Sequence, residues 1–201
     1  MNDDIIFHYD SLIDEGNDPV LDPPELREYM DRWDGEAFLR LLGICGDERV
    51  LEIGCGTGRL AVRVAPLARE FVGVDISPKT VAVAREHLAS TNARVICSDF
   101  LTWECDGKFD VIYSSLTFMH ISDKLGAIRK VASLLSDGGR FVLSVDRNTS
   151  EWLEYGSRRV KLYPDDPSEI EKMMKAVGLT VADRAETEFA HIIVAEMDSG
   201  S

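Results

Sequence analysis

The sequence predicts an α/β fold in three layers: a mostly parallel sheet of seven strands, covered by helices on both faces and finished by an antiparallel hairpin. Two patterns carry this expectation. From Arg49 onward, short β-branched runs alternate with helical patterns, as in parallel strands joined by crossover helices. After Gly178, two strand-like runs are separated by only a few residues, enough for a hairpin and too few for a helical crossover. The 201 residues, 45% of them hydrophobic, suffice for one core that needs neither disulfides nor a structural metal.

The elements follow in order. Residues 1–48 read as an acidic helical extension or lid, and residues 49–201 as the main domain. Strands are expected at 50–53, 71–74, 94–97, 109–113 and 140–145, each a β-branched or aromatic run. A helix-forming stretch through Ala68 follows the first strand. Ser77 and Pro78 supply an N-cap and a first-turn proline for a helix carrying Val81, Ala84 and Leu88. Ser122 is expected to cap the next helix, whose Leu125, Ile128, Val131, Ala132 and Leu135 share a face, with Gly138 and Gly139 as its stop. Asp166, Pro167, Ser168 and Glu169 form a capping-box pattern before Ile170, Met173, Met174 and Val177, ending at Gly178. Residues 179–185 and 189–197 are the closing strands, followed by a polar tail at Asp198–Ser201. An insertion at about 146–166 lies where a substrate-side segment belongs.

The net charge of −14 is uneven. Residues 1–48 hold 14 acids and 3 bases, whereas residues 49–201 hold 22 acids and 19 bases. An acidic segment repels polyanions, which argues against a nucleic-acid partner. Cys45, Cys55, Cys97 and Cys105 include no Cys-x-x-Cys pair, so neither a zinc cage nor a disulfide framework is indicated. The start, Met1-Asn2-Asp3-Asp4, lacks a signal-peptide pattern, and no long apolar run suggests a membrane span; a cytoplasmic setting is expected. Monomer and homodimer both remain open.

Directly after the first strand comes Glu52-Ile53-Gly54-Cys55-Gly56-Thr57-Gly58, whose glycines permit a tight turn and close backbone approach to a ligand at the carboxyl end of a strand. Asp75 ends the second strand, where a carboxylate can accept both hydroxyls of a ribose. Asp99 ends the third, followed by Phe100, where it can accept an adenine amino group. Together these three elements outline an adenosine.

These residues resemble the class I S-adenosylmethionine-dependent methyltransferases, of Rossmann-like fold. The run Val50–Gly58 looks like the family's first motif almost letter for letter. The resemblance continues through Val74–Ser77, Ser98–Phe100, Phe109–Ser114 and Leu134–Arg140, over about residues 38–197. It implies S-adenosylmethionine as cofactor and S-adenosylhomocysteine as product. It also implies that Gly54, Cys55, Gly56 and Gly58 lie against the methionine part, with Glu52 orienting its polar groups. Asp75 would take the ribose hydroxyls and Ile76 would pack on adenine. Asp99 and the Phe100 backbone would read the adenine edge, and the Ser114 carbonyl would approach the methionine amine. The implied activity is transfer of a methyl group to oxygen or nitrogen of a small molecule. The alternatives are a non-catalytic domain that binds the same cofactor, and an NAD-dependent dehydrogenase. Against the dehydrogenase, Arg59 stands where Gly-x-Gly-x-x-Gly requires its third glycine, and Glu52 lies beside a loop that would hold a pyrophosphate.

His120, after the fourth strand, is the candidate general base. The fourth strand ends in Ser114-Ser115-Leu116-Thr117, without the Asn/Asp-Pro-Pro-Tyr box used on planar amino groups. Asp146 and Asn148 make a poor magnesium site, so no metal is expected. No Pro-Cys pair supports ring-carbon methylation of cytosine. Phe7, His8, Tyr9, Tyr29 and Trp33 in the extension, and Trp152, Tyr155, Arg158, Arg159, Lys161 and Tyr163 in the insertion, are candidates for the acceptor pocket, the basic ones for a small anion.

Overall fold

The computed structural model describes residues 3–198; Met1, Asn2 and Ser199–Ser201 of the expected polar tail lie outside them. Strands β1 (Arg49–Ile53), β2 (Glu70–Asp75), β3 (Ala93–Cys97), β4 (Phe109–Ser114), β5 (Leu135–Asp146), β8 (Leu179–Glu186) and β9 (Ala190–Met197) form one sheet. Its spatial order is β3-β2-β1-β4-β5-β9-β8. The first five strands are parallel, and β9 pairs antiparallel with both β5 and β8. The expected architecture of five parallel strands and a terminal hairpin is the observed one.

Both faces of the sheet are apolar, as parallel strands under helices require. Along β1, Leu51 and Ile53 enter the core shared with α6 (Lys124–Leu134) and α7 (Pro167–Ala176). Val50 enters the opposite core, shared with α3 (Gly35–Leu42), α4 (Ala61–Val64) and α5 (Pro78–His87). Glu52 falls on the Val50 face by the two-residue period of a strand and stands opposite Tyr113 of β4.

Three local expectations are corrected. The cap of α6 is Asp123 and not Ser122: its carboxylate accepts the Gly126 N–H at 2.8 Å, in a turn so tight that a Cβ on residue 126 would lie 2.1 Å from it. Helix α6 ends at Leu134, and Gly138 and Gly139 lie within β5 rather than acting as its stop. Strand β5 therefore starts five residues before Arg140, and its register against β4 jumps from Phe109↔Leu135 to Val111↔Arg140. In α7, Asp166 caps Ser168 and Glu169 as expected, but Glu169 turns to Lys172 at 2.6 Å instead of completing a capping box.

The insertion holds an unanticipated hairpin, β6 (Trp152–Tyr155) with β7 (Arg158–Lys161), closed by Gly156 at φ +57°. The extension supplies α1 (Asp3–Asp14), α2 (Pro24–Met30) and α3. Helix α3 buries Phe38 and Leu42 in the core, whereas α2 buries no residue and α1 only Ile5 and His8. Among the described residues, no helix is long and apolar enough to cross a membrane.

Candidate functional site

The carboxyl ends of β1 to β4 open into a cleft of about 370 Å³. Its floor is the loop Glu52–Gly56 with the ends of β2 and β3. One wall is the loop after β4, from Ser115 to Ser122. Asp4, Ile5 and Tyr9 of α1 close it from above, and Val160, Lys161 and Tyr163 close its far side.

Two glycines explain the floor. At Gly54, with φ +74°, a Cβ would sit 2.0 Å from the Thr117 hydroxyl, so only glycine lets the loop after β4 lie this close. At Gly56, with φ +55°, a Cβ would meet nothing within 4 Å, leaving backbone open to the cleft. The loop is tied down by Gly54 N–H and Cys55 N–H, which both donate to the Val74 carbonyl. The Cys55 thiol is buried against Gly73, where a Cβ would lie 2.9 Å from it.

The expected cofactor residues converge on this cleft with two exceptions, the first being Gly58, which does not line it and where a Cβ would meet Ala61 and Leu88 at 3.8 Å. Asp75 lines it and accepts one backbone N–H on each oxygen, from Ser77 at 3.0 Å and Gly56 at 2.9 Å. Burial pushes its carboxyl up, against those two N–H donors. Ile76, Asp99 and Phe100 line the cleft, with Asp99 accepting the Leu101 N–H at 2.8 Å and the Phe100 ring 5.2 Å from the Lys130 ammonium. Glu52 is buried, receives the Tyr113 hydroxyl at 2.9 Å, and is pushed up to about 8 by its loss of water, with Tyr113 and Arg59 opposing the shift. The second is Ser114, fully buried with its hydroxyl donating to the Ile53 carbonyl; Ser115 lines the cleft in its place.

His120 sits in the wall with Nε2 2.8 Å from the Tyr9 hydroxyl. Its Nδ1 is buried without a hydrogen-bond partner among the described residues. Burial holds the imidazole down at about 4, so it is neutral at pH 7, and the same burial drives the Tyr9 phenol upward.

Of the aromatic and basic residues expected around an acceptor, Tyr9, Lys161 and Tyr163 line the cleft. His8 packs edge-on against Tyr9 and Tyr155, one layer back. Phe7 points to solvent, and Tyr29 and Trp33 stack with Phe189 outside the cleft. The three basic residues already have partners. Arg158 makes two 2.7 Å bonds to Glu15, Arg159 lies over Trp152 at 3.9 Å, and Lys161 is bound by Glu151.

Several residues of the site carried no signal in the sequence. Asp34 is buried and accepts hydrogen bonds from Gly35 N–H, the Ser115 hydroxyl and both terminal nitrogens of Arg59, joining the extension, the glycine loop and β4. Leu116 has φ +54°, costly for a branched side chain, in the turn that carries the chain from β4 over Gly54. Acids of the extension reach across the cleft rim: Asp10 accepts the Ser77 hydroxyl at 2.7 Å, Asp14 pairs with Lys79 at 2.5 Å and Asp18 with His87 at 2.7 Å. No group of three or more His, Cys, Asp or Glu side chains fit to hold a metal occurs among the described residues.

A family model described as a methyltransferase domain matches residues 45–196. Ubiquinone biosynthesis O-methyltransferase of Sinorhizobium medicae is 30% identical over 154 residues, covering 68% of this chain and 61% of its own length. The enzyme of that name from Xanthomonas campestris pv. campestris is 36% identical over 105 residues, 50% of this chain and 44% of its own. The chain thus spans about half to two thirds of the length of these curated relatives. Among solved structures, N-methyltransferase NodS from Bradyrhizobium japonicum WM9, in complex with S-adenosyl-L-homocysteine, superposes with a TM-score of 0.71 at 21% identity, covering 94% of this chain and 97% of that one.

Proposed function

The chain belongs to the methyltransferase domain family, and from that membership we propose that it transfers a methyl group from S-adenosylmethionine to an oxygen or nitrogen atom of a small molecule. The observation that carries this reading is the meeting of the glycine loop, Asp75 and Asp99 around one cleft at the ends of three adjacent parallel strands. The residues fit the cofactor. The open backbone at Gly56 admits close approach, and each Asp75 oxygen keeps a lone pair after accepting its N–H. Gly54, Cys55, Gly56 and Glu52 would hold the methionine part, with Ser115 beside them. Asp75 would hold the ribose, and Ile76, Asp99 and Phe100 the adenine. When bound, the cofactor supplies a methyl carbon already activated by its sulfonium, so the protein's task is alignment and exclusion of water.

His120 and Tyr9 are assigned to the acceptor. A neutral imidazole with a bare Nδ1 offers a hydrogen bond that orients the attacking atom, and the Tyr9 hydroxyl fixes the ring through Nε2. Of the 1–48 extension, α1 serves as the lid of the 49–201 domain while α3 packs into its core, and the insertion at 146–166 contributes the substrate side. The four free thiols accord with work in the cytoplasm. The dehydrogenase reading loses further ground because Arg59, in the third-glycine position, is engaged by Asp34.

Calorimetric titration with S-adenosylhomocysteine and with NAD tests the cofactor, and release of S-adenosylhomocysteine over an acceptor panel tests turnover. Binding of the adenosyl ligand without NAD is expected. Binding of NAD alone would overturn the reading, and binding without any turnover would favour a cofactor-binding regulator.

A further inference from the structure

The cations that border the cleft are matched by acids lying outside it. Arg59 on the wall is held by Asp34 and lies 3.7 Å from Asp31. Lys161 on the far side is bound by Glu151. Behind these, Lys124 pairs with Asp165 at 2.7 Å and Arg158 with Glu15. The acids that line the cleft are Asp4, Glu52, Asp75 and Asp99. Asp4, on the same helix as Tyr9, makes no ion pair among the described residues. The remaining walls are largely apolar or aromatic, including Ile5, Met119, Ile121, Val160 and Tyr163.

This charge arrangement discriminates among acceptors. A carboxylate or phosphate would find its potential cation partners already neutralised, and, with Glu52, Asp75 and Asp99 given to the cofactor, would meet Asp4 on the acceptor side, an unfavourable like-charge contact. A hydroxyl must lose its proton as the new bond forms, and the base in reach, His120, is kept weak by burial. An amine enters as an ammonium attracted by Asp4, and the apolar wall favours the neutral form that reacts.

We propose that the acceptor is a primary or secondary amine on an apolar or aromatic body that carries no anionic group. The proposal rests on the methyl-transfer reading above. In the balanced step, the ammonium first gives one proton to water. The nitrogen lone pair then forms the N–C bond as the C–S bond breaks with its electron pair staying on sulfur. The N-methylammonium formed carries the positive charge, and S-adenosylhomocysteine leaves neutral at sulfur.

The test is ternary binding. Full-length protein saturated with S-adenosylhomocysteine is titrated calorimetrically with benzylamine, benzyl alcohol and benzoate, three probes that share one aromatic body. Benzylamine is expected to bind at least about tenfold more tightly than the other two, equivalent to about 1.4 kcal/mol. Asp4→Asn should weaken benzylamine about two- to fivefold and leave benzyl alcohol unchanged. Glu151→Gln, which frees Lys161, should strengthen benzoate about fivefold. Benzylamine that binds no better than either competitor overturns the proposal, and so does a wild-type response in both variants. Failure of S-adenosylhomocysteine itself to bind is a separate outcome that removes the methyl-transfer reading, and the acceptor class with it.

Discussion

The Tyr9 hydroxyl lies 2.8 Å from Nε2 of His120, a contact between residues 111 positions apart that joins the first helix to the loop after the fourth strand. It closes the cleft from above and sets the orientation of the one imidazole on its wall. Tyr9→Phe should therefore lower kcat/KM about tenfold, the loss of one buried hydrogen bond, and change the Kd for S-adenosylhomocysteine by less than about twofold. Because burial holds His120 near 4, the acid limb of kcat should show no apparent pKa near 6.5 in the wild type. A limb centred at 6.5 would mean that the imidazole is solvated in the working enzyme.

Asp75 already accepts two backbone N–H groups, so a change in its charge alters both the loop and any ribose it holds. Asp75→Ala should weaken S-adenosylhomocysteine by at least about a hundredfold, roughly 2.7 kcal/mol, as expected for loss of a charge-assisted pair of hydrogen bonds. An affinity within threefold of wild type, about 0.6 kcal/mol, would refute the ribose assignment.

Glu52 gives a prediction on stability with a definite sign. Its folded pKa, about 8, lies above the ordinary carboxylate value of 4.5, so the proton it keeps favours the folded state at low pH. That contribution is complete below about pH 4.5 and is lost as pH rises through about 8. Glu52→Gln, which keeps a partner for the Tyr113 hydroxyl, should match wild type in Tm near pH 4.5 and exceed it by several degrees at pH 8.5. Equal melting temperatures at both pH values would show that the carboxylate is hydrated.

Asp34 and Asp14 separate buried from exposed pairing. Asp34→Ala removes the buried counterion of Arg59, leaving it only the more exposed Asp31 at 3.7 Å, and should cost about 3 kcal/mol in urea unfolding. Asp14→Ala, which breaks an exposed pair with Lys79, should cost less than about 1 kcal/mol and lose even that in high salt. Similar costs for the two would mean that the Asp34 site admits water.

The succession of parallel strands and the closing hairpin were legible because the strands are short β-branched or aromatic runs and helix starts such as Ser77 and Asp166 carry clear caps. The first residues of β5 were not, since Ser136-Asp137-Gly138-Gly139 reads as a turn. It becomes strand only through a register jump and the bond from the Ser136 hydroxyl to the Phe109 carbonyl. The β6–β7 hairpin escaped notice because its exposed strands lack apolar alternation. Ser122 and Asp123 are equally good caps one residue apart, and only the three-residue spacing to Gly126 decides between them. In the site, Asp75 and Asp99 are marked by strand ends. Asp34 is one acid among many in its segment, and its pairing with Arg59 depends on how α3 docks, which no local pattern encodes.

The acidity of the first 48 residues is a surface property only until their partners are considered. Asp14, Glu15 and Asp18 stand opposite Lys79, Arg158 and His87 around the rim of the cleft. A chain truncated before Pro19 would present that rim with the lysine, the arginine and the histidine stripped of their carboxylate partners. The local charge would move toward positive, since six acids leave with that segment and no lysine or arginine does. Anions would then meet less repulsion at the rim, so the first helix sets the charge there as well as covering the cleft.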